Sequence, residues 1–357
     1  MVWSKCNVVG PISAPNTSLA DYVGFAAIMP QCSNGSAAIM PHRSNSGGGM
    51  PNKRMYAHDY TRVGFYMITI VTAARRALFG ICRDDRVDLS PVGEIVQRRW
   101  LEIPLHRPAI ETNTLVVMPD HLHGIVYVKE QLPKPVGDTI RGFKSGVTSE
   151  LRKLTHDPTL DVWEEGYHDR VIMCSETLHA ERRYIHDNPR RYCVRKAHPE
   201  LFVRVNRLNN ARLPPGENWS GVGNLYLLEK PEFMQVQVSR RATGAEVAAL
   251  ETDVLDQVRR GTVMVSPFIS PGEKRMAKLV MDQAFGSLIL INPRGFPPLY
   301  KPAGVYFDLC AQGRLLVLSP FVHTGHQEPL TRERCLQMNR WVEELCAGMC
   351  ANNGAPQ

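Results

Sequence analysis

The C-terminal half of the chain alternates short apolar runs with helical stretches at a regular spacing. The runs are rich in β-branched residues, as strands are, and they occupy residues 233–239, 262–266, 287–291 and 314–321. The helical stretches between them end in glycines, which are common just past the end of a helix, at Gly261, Gly286 and Gly313. Such strand–helix–strand units are right-handed crossovers between parallel strands. Residues 233–357 are therefore expected to form an α/β domain with a mainly parallel sheet.

A different pattern precedes this domain. Residues 65–72 (FYMITIVT) and 114–128 (TLVVMPDHLHGIVYV) are typical of strands. Between them, Ser90 followed by Pro91 is a typical helix start, because Ser caps the first N–H groups and Pro tolerates the first helical position. This arrangement predicts a strand, a helix and one or two further strands.

Two longer helices follow these strands. The segment DTIRGFKSGVTSELRKL is amphipathic, and its apolar face holds Ile140, Phe143, Val147, Leu151 and Leu154. The segment SETLHAERRYIHDNPRRY is expected to begin at Ser175 and to end at Asn188, because Pro189 disfavours a helical residue before it. Strands alternating with helices predict an α+β sandwich over residues 51–208.

Two further segments differ in composition from both domains. Residues 1–50 are rich in Ser, Asn, Gly and Pro and almost free of charge, which indicates a disordered tail. Residues 209–232 are rich in Asn, Pro and Gly and are expected to be a linker.

Composition and charge narrow the class of protein. The chain has 357 residues, of which 43% are hydrophobic, and a net charge of +7. Residues 51–210 hold +5 of that charge, which permits a polyanionic partner. No apolar run reaches the roughly 20 residues of a membrane span, and no secretory signal is visible. The nine cysteines are scattered and odd in number, so we expect reduced thiols in a cytoplasmic protein.

Two histidines, His121 and His123, stand one residue apart in the predicted strand VVMPDHLHGIVYV. Side chains alternate along a strand, so both rings point the same way, about 6–7 Å apart at the backbone. Two imidazoles on one rigid strand form half of a metal site. The alternative is that one ring is exposed and the other is hydrogen-bonded in the core.

Tyr184 and Asn188 are four residues apart in YIHDNP and share one face of the predicted helix. A phenol and an amide oxygen placed beside two imidazoles would complete a metal site with a nucleophile next to it. The alternative is that Tyr184 is a core aromatic residue with its hydroxyl at the surface.

Four blocks in this order resemble a known family: VVMPDHLHGIV, GDTIRGFKSGVTSEL, VWEEGYHDRVI and RRYIHDNPRRY. They are similar to the REP-associated and related single-tyrosine transposases of the HUH class, over roughly residues 56–208. The resemblance implies a ferredoxin-like fold with an antiparallel sheet, and cleavage of single-stranded DNA at hairpin-bearing ends. It also implies a protein that acts as a monomer or homodimer in DNA transposition and recombination.

The resemblance further assigns roles by position. His121 and His123 match the HUH pair that binds Mg²⁺ or Mn²⁺, Tyr184 matches the nucleophile that forms a 5′-phosphotyrosine, and Asn188 matches the third metal ligand. Asp120 stands where we expect Asn or Glu, a mild departure from the family.

Single-stranded DNA requires basic side chains for its phosphates and aromatic rings for its bases. The candidates for DNA contacts, each of which could instead be structural, are Arg141, Lys144, Tyr167, His168, Arg170, Arg190 and Arg191.

One loop in the C-terminal half is a candidate phosphate site. It follows a predicted strand and opens a helix, with Ser266 at the strand end and Ser270 and Gly272 at the helix start. Its layout is similar to the Rossmann-like domains of DNA-processing protein A. We expect this half to tune DNA or partner binding without performing cleavage.

The sequence thus favours a metal-dependent enzyme that nicks and joins single-stranded DNA. A non-catalytic protein that binds single-stranded DNA or a nucleotide through its C-terminal half is one alternative. A metallohydrolase that uses the histidine pair without a covalent intermediate is another.

Overall fold

The computed structural model describes residues 58–239, 241–323 and 329–347. The predicted tail over residues 1–50 lies outside these ranges. The described residues divide into two compact units, with the division after Arg191. The first unit is α+β with an antiparallel sheet, and the second contains a mixed sheet with helices.

Among its described residues, the first unit contains six strands, three complete α-helices and most of a fourth. In chain order these are β1 (Gly64–Val71), β2 (Gly80–Arg83), β3 (Arg86–Leu89), α1 (Pro91–Leu101), α2 (Ile103–His106), β4 (Ile110–Met118), β5 (His121–Val128), α3 (Val136–Thr155), β6 (His168–Ile172) and α4 (Ser175–Ala197). β2 and β3 form a separate two-stranded sheet. The predicted cap of α1 is confirmed, since the Ser90 side chain accepts a hydrogen bond from the Gly93 N–H.

The main sheet has the strand order β4-β5-β1-β6, and every neighbouring pair is antiparallel. With α1 after β1 and α3 after β5, this is the β-α-β-β-α-β order of ferredoxin-like folds. α1 and α3 cover one face with a core that includes Ile68, Trp100 and Val126. α4 covers the other face with a smaller core around Phe65, Ile125 and Ile185.

Two sequence predictions for these helices are wrong. Leu154 is 62% exposed, because α3 is close to its end there and the packed face stops at Leu151. α4 does not stop at Asn188 but continues through Pro189 to Ala197. Ion pairs span the proline, from Asp187 to Arg190 and Arg191, and they hold the two sides of the interruption together.

The second unit contains β7 (Val205–Asn206), β8 (Ser220–Gly223), β9 (Phe233–Gln235), α5 (Gly244–Arg259), β10 (Val263–Ser266), α6 (Pro271–Met281), β11 (Ser287–Ile291), α7 (Val305–Ala311), β12 (Leu315–Ser319) and α8 (Arg332–Ala347). The sheet order is β7-β8-β12-β11-β10-β9. The four strands β9 to β12 are parallel, as predicted, and β7 and β8 add an antiparallel edge. α5, α6 and α7 pack on one face and α8 packs on the other.

Residues 209–232 are more ordered than the expected linker. They include β8, whose partner is the sheet strand β12, and a 3-10 helix at Leu225–Glu229. Trp219, Leu227 and Leu228 are buried in the core beside α8. The segment is rich in Asn, Pro and Gly, but these three apolar residues attach it to the core of the second unit.

Candidate nuclease site

Strand β5 and helix α4 bring His121, His123 and Tyr184 together. The ring centroids of His121 and His123 are 4.7 Å apart, and those of His123 and Tyr184 are 5.6 Å apart. His123 is 8% exposed, and Tyr184 is half-buried. The three side chains predicted to act together therefore lie side by side on one face of the sheet.

Each imidazole is oriented by a polar neighbour at its Nδ1 atom. The Nδ1 of His123 lies 2.7 Å from the Oγ1 of Thr69 on β1. The Nδ1 of His121 lies 2.6 Å from the Oδ1 of Asp120, whose Oδ2 lies 3.4 Å from an Nη of Arg75. Partners of this kind fix the direction of a metal-binding histidine and make Nε2 the ligand atom.

The carboxylate beside His121 is held in its charged form. Burial raises the pKa of Asp120, but the hydrogen bond with His121 and the charge of Arg75 outweigh it, so the pKa lies below its ordinary value. Asp120 is therefore a negative hydrogen-bond acceptor next to the imidazole at neutral pH.

Asn188 lies one helical turn beyond Tyr184 on α4 and is 7% exposed. Its Nδ2 donates a hydrogen bond to the Tyr184 carbonyl at 3.4 Å, which turns the amide along the helix. The guanidinium of Arg191 lies 5.9 Å from the Tyr184 ring centroid. The helix thus presents a phenol, an amide and a cation within two turns.

The donor set suits a divalent ion that accepts mixed ligands. Within the described residues, no three His, Cys, Asp or Glu side chains lie together as a metal site. A metal bound by His121 and His123 would need a ligand of another type, and an amide oxygen suits Mg²⁺ and Mn²⁺. The oriented histidine pair fits such an ion, and Asn188, one turn beyond Tyr184, is the candidate for an amide ligand.

Three of the predicted DNA contacts form ion pairs that involve α4. Arg170 on β6 pairs with Glu181 on α4, and Arg190 and Arg191 both pair with Asp187. These pairs give the arginines structural roles in holding α4. His168 is exposed, and it lies in the same cross-strand row as Thr69 and His123.

The other predicted DNA contacts line one groove of about 1070 Å³ beside α3. Arg141 is 82% exposed there and pairs with Asp138, three residues earlier on α3. The Nζ of Lys144 donates to the carbonyls of Glu164 and Gly166, and burial lowers the pKa of this amine despite nearby carboxylates. Tyr167 is 9% exposed and packs in the core, so stacking of a base on its ring would require it to move.

The groove also contains basic and hydroxyl side chains that the sequence analysis did not select. They are Arg152, Lys153, His156, Ser145, Thr148 and Ser149. Acidic residues share the groove, so it carries both signs of charge: Asp161, Glu164 and Glu165.

The loop after β10 does not have the structure expected of a phosphate site. The carboxylate of Glu273 accepts hydrogen bonds from the N–H groups of Ile269 and Ser270, at the helix start where the phosphate was expected. Ser270 completes a capping box with Glu273, and Ser266 is fully buried and accepts from the Phe268 N–H. A side chain already supplies the negative charge that this loop was predicted to bind.

Gly272 has a packing role in the same loop. A Cβ at this position would lie 2.3 Å from a methyl carbon of Val238. The glycine is therefore explained by close contact between α6 and the segment after β9, without any ligand.

Thr69, Asp120 and Glu181 are the residues near the site that sequence reasoning missed. Thr69 is a polar residue in a mostly apolar strand, and that contrast was the sequence signal for a functional role. That Thr69 lies opposite His123 follows only from the pairing of β1 with β5. Asp120 was noted only as a departure from the family pattern. Glu181 is a charged residue on a helix, which usually indicates a solvent-exposed position.

Comparison with known proteins identifies a relative that matches part of the chain. No family model matches the chain. An uncharacterized protein of Haemophilus influenzae is 31% identical over 156 residues, which cover 38% of this chain and 86% of that protein. The chain belongs to the family of that protein.

Three solved structures are similar to parts of the chain at low TM-scores. A REP-associated tyrosine transposase bound to a REP hairpin has a TM-score of 0.31 and 18% identity, covering 39% of this chain and 74% of that chain. DNA processing protein A from Helicobacter pylori has a TM-score of 0.31 and 18% identity, covering 41% and 66%. A putative transposase from Deinococcus radiodurans R1 has a TM-score of 0.26 and 16% identity, covering 39% of this chain and 98% of that chain.

Among the described residues, none of the helices combines the length and the apolar character that a membrane span requires.

Proposed function

We propose that this protein is a metal-dependent enzyme that cuts single-stranded DNA and transfers the cut strand to a new 3′ end, as single-tyrosine HUH transposases do. The observation that carries the proposal is the edge-to-face contact of the Tyr184 ring with His123, beside His121, with both imidazoles oriented at Nδ1. A core aromatic residue would not require two oriented imidazoles beside it.

In the proposed reaction the Tyr184 Oη attacks the phosphorus of a phosphodiester. The bond between phosphorus and O3′ breaks, and its electron pair leaves on O3′, which takes a proton to give a free 3′-OH. The phenol proton passes to water as the bond between Oη and phosphorus forms. The product is a 5′-phosphotyrosine, which keeps a phosphodiester, so a second 3′-OH can reverse the step.

His121, His123 and Asn188 would hold Mg²⁺ or Mn²⁺ in this proposal. When bound, the ion would neutralise the negative charge that builds up on the non-bridging phosphate oxygens. Thr69 and Asp120 orient the two imidazoles through their Nδ1 atoms. Tyr184 stands beside them on a helix that packs on the same face of the sheet.

The groove beside α3 is the proposed contact for the rest of the DNA. Arg141 and Arg152 offer positive charge there, and Ser145 and Ser149 offer hydroxyls for phosphate oxygens. The groove includes residues 163–167, which lead directly into β6 and the exposed His168. A strand bound in the groove would reach the edge of the sheet next to the row that contains His123.

Incubation of the protein with hairpin-bearing single-stranded oligonucleotides and Mn²⁺ tests the proposal. We expect a covalent protein–DNA adduct on a denaturing gel, and its loss in Tyr184→Phe. Cleavage that survives Tyr184→Phe would indicate a metallohydrolase without a covalent intermediate. Binding without cleavage, with oligonucleotides taken from the DNA flanking the gene, would indicate a non-catalytic DNA-binding protein.

A further inference from the structure

Helix α4 is attached to both edges of the sheet by polar side chains just before Tyr184. On one edge, Glu181 pairs with Arg170 of β6. On the other edge, the Nε of Arg182 donates to the Oδ1 of Asn113 in β4, at 3.0 Å. Two consecutive residues of the helix thus contact the two outer strands of the sheet.

The two contacts surround the strand that carries the histidines. Because the sheet order is β4-β5-β1-β6, His123 on β5 lies between the strands that hold Asn113 and Arg170. Glu181 precedes Tyr184 by three residues, which is nearly one helical turn. The position of the phenol along the sheet therefore depends on where Glu181 and Arg182 are held.

Burial makes the Glu181 contact specific for one placement of the helix. Glu181 is 3% exposed, and a carboxylate that is taken out of water is costly unless it is paired and hydrogen-bonded. A shift of α4 along the sheet would separate this carboxylate from Arg170. The apolar contacts of Leu178 and Ile185 are less directional and tolerate small shifts better.

The Asn113 contact depends on an irregularity in β4. The pairing of β4 with β5 changes register between Thr112 and Leu115, as in a β-bulge. Bulges turn a side chain away from its regular direction. Here the side chain of Asn113 reaches α4, where its oxygen accepts from Arg182.

We propose that the Glu181–Arg170 and Arg182–Asn113 contacts are a positioning device that sets the Tyr184 phenol beside His123. Arg170, Glu181, Arg182 and Asn113 are positioning residues, and Arg170 acts on the reaction through α4 without contacting DNA. The proposal rests on the proposed function of Tyr184 as the nucleophile.

Glu181→Gln tests the device, because the amide keeps the shape of the side chain and removes its charge. We expect adduct formation at saturating DNA to slow by about 10- to 100-fold, since small misplacements of a reacting group have effects of this size. The dissociation constant for the oligonucleotide should stay within about twofold, because the proposed DNA groove lies beside α3 and not on α4.

Glu150→Gln is the matched control. Glu150 on α3 also pairs with arginines of another element, Arg98 and Arg99 of α1, and this network lies on the opposite face of the sheet. We expect Glu150→Gln to lower the free energy of unfolding without slowing adduct formation. Equal slowing in both variants would show that loss of an ion pair acts through general stability, and would overturn the proposal.

Asn113→Ala and Arg170→Gln complete the test. Asn113→Ala breaks the second attachment and leaves the Glu181–Arg170 pair in place, so it remains informative if Glu181→Gln fails to fold, and it should also slow adduct formation at unchanged DNA affinity. A weaker affinity for DNA and a smaller salt dependence in Arg170→Gln would show that Arg170 is a phosphate contact, which contradicts the proposal.

Crystal structures of the wild type and Glu181→Gln separate this proposal from the proposed function. We expect the Tyr184 ring to move by about 1 Å or more from its place beside His123, a shift large enough to matter for a positioned nucleophile. This result can be obtained even if the wild-type protein forms no adduct. An unmoved Tyr184 ring would overturn the positioning role whatever the reaction is.

Discussion

Thr69 and His123 lie directly opposite each other on antiparallel strands β1 and β5, and the threonine hydroxyl is 2.7 Å from the histidine Nδ1. Thr69 is also the cross-strand neighbour of His168 on β6. A single polar residue in the central strand therefore orients the histidine that contacts Tyr184.

Thr69→Val removes the hydroxyl and keeps the β-branched shape. We expect Mn²⁺ affinity and the rate of adduct formation to fall by about 10- to 100-fold, the usual effect of losing a partner of a metal-binding histidine. Mn²⁺ titration and single-turnover cleavage measure the two effects. Thr155→Val is a suitable control because the Thr155 hydroxyl bonds only within α3, to the Leu151 carbonyl. A full wild-type rate in Thr69→Val would mean that His123 needs no such partner.

We expect Mn²⁺ binding to tolerate Asp120→Asn but not Asp120→Ala. In Asp120→Asn the amide oxygen can still accept a hydrogen bond from the Nδ1 of His121, so we expect Mn²⁺ binding close to that of the wild type. In Asp120→Ala the imidazole loses its partner, and Mn²⁺ affinity should fall by about tenfold or more. Isothermal titration with Mn²⁺ distinguishes the two variants. Equal losses would show that charge, and not hydrogen bonding, is what His121 requires.

The sequence predicted what depends on local pattern. The alternation in residues 233–321 predicted four parallel strands, and the spacing of His121 and His123 predicted that they share a face. It could not predict contacts that depend on strand pairing, such as Thr69 with His123. It also could not predict the ion pair of Arg170 with Glu181, because a charged residue in a strand carries no sign of a partner eleven residues away on a helix. The phosphate site after β10 was misjudged for a similar reason, since the pattern that favours an anion is also satisfied by the carboxylate of Glu273.

Glu273 stabilises the loop after β10, and we expect its replacement to change only the free energy of unfolding. Glu273→Ala leaves two backbone N–H groups without their acceptor, and we expect a loss of about 1–3 kcal/mol in the free energy of unfolding. Ser270→Ala should cost about 1 kcal/mol through loss of the helix cap. Urea unfolding measures both changes. Thermal stabilisation of the wild type by millimolar inorganic phosphate, abolished in Ser270→Ala, would instead support a phosphate site.

The ion pairs of Glu150 predict a stability change with pH. Burial raises the pKa of Glu150, but hydrogen bonds and charges from Arg99 and Arg98 outweigh it, so its folded pKa lies below the ordinary value. The contribution of such a carboxylate is present above its unfolded pKa and is lost as pH falls through the folded pKa. Glu150→Gln should therefore cost about 1 kcal/mol at pH near 7 and little in strong acid. Urea unfolding of both proteins at the two pH values checks this. A cost that is unchanged in acid would show that shape, and not charge, is what Glu150 supplies.

The most direct test of the account is to identify the residue that becomes attached to DNA. After reaction with a hairpin-bearing oligonucleotide and Mn²⁺, nuclease and protease digestion should leave a short nucleotide on one peptide, and mass spectrometry can locate it. We predict a 5′-linked phosphodiester on Tyr184 and loss of the adduct in His123→Ala. Attachment at another residue, or a 3′ linkage, would contradict the assignment of Tyr184 as the nucleophile beside the histidine pair.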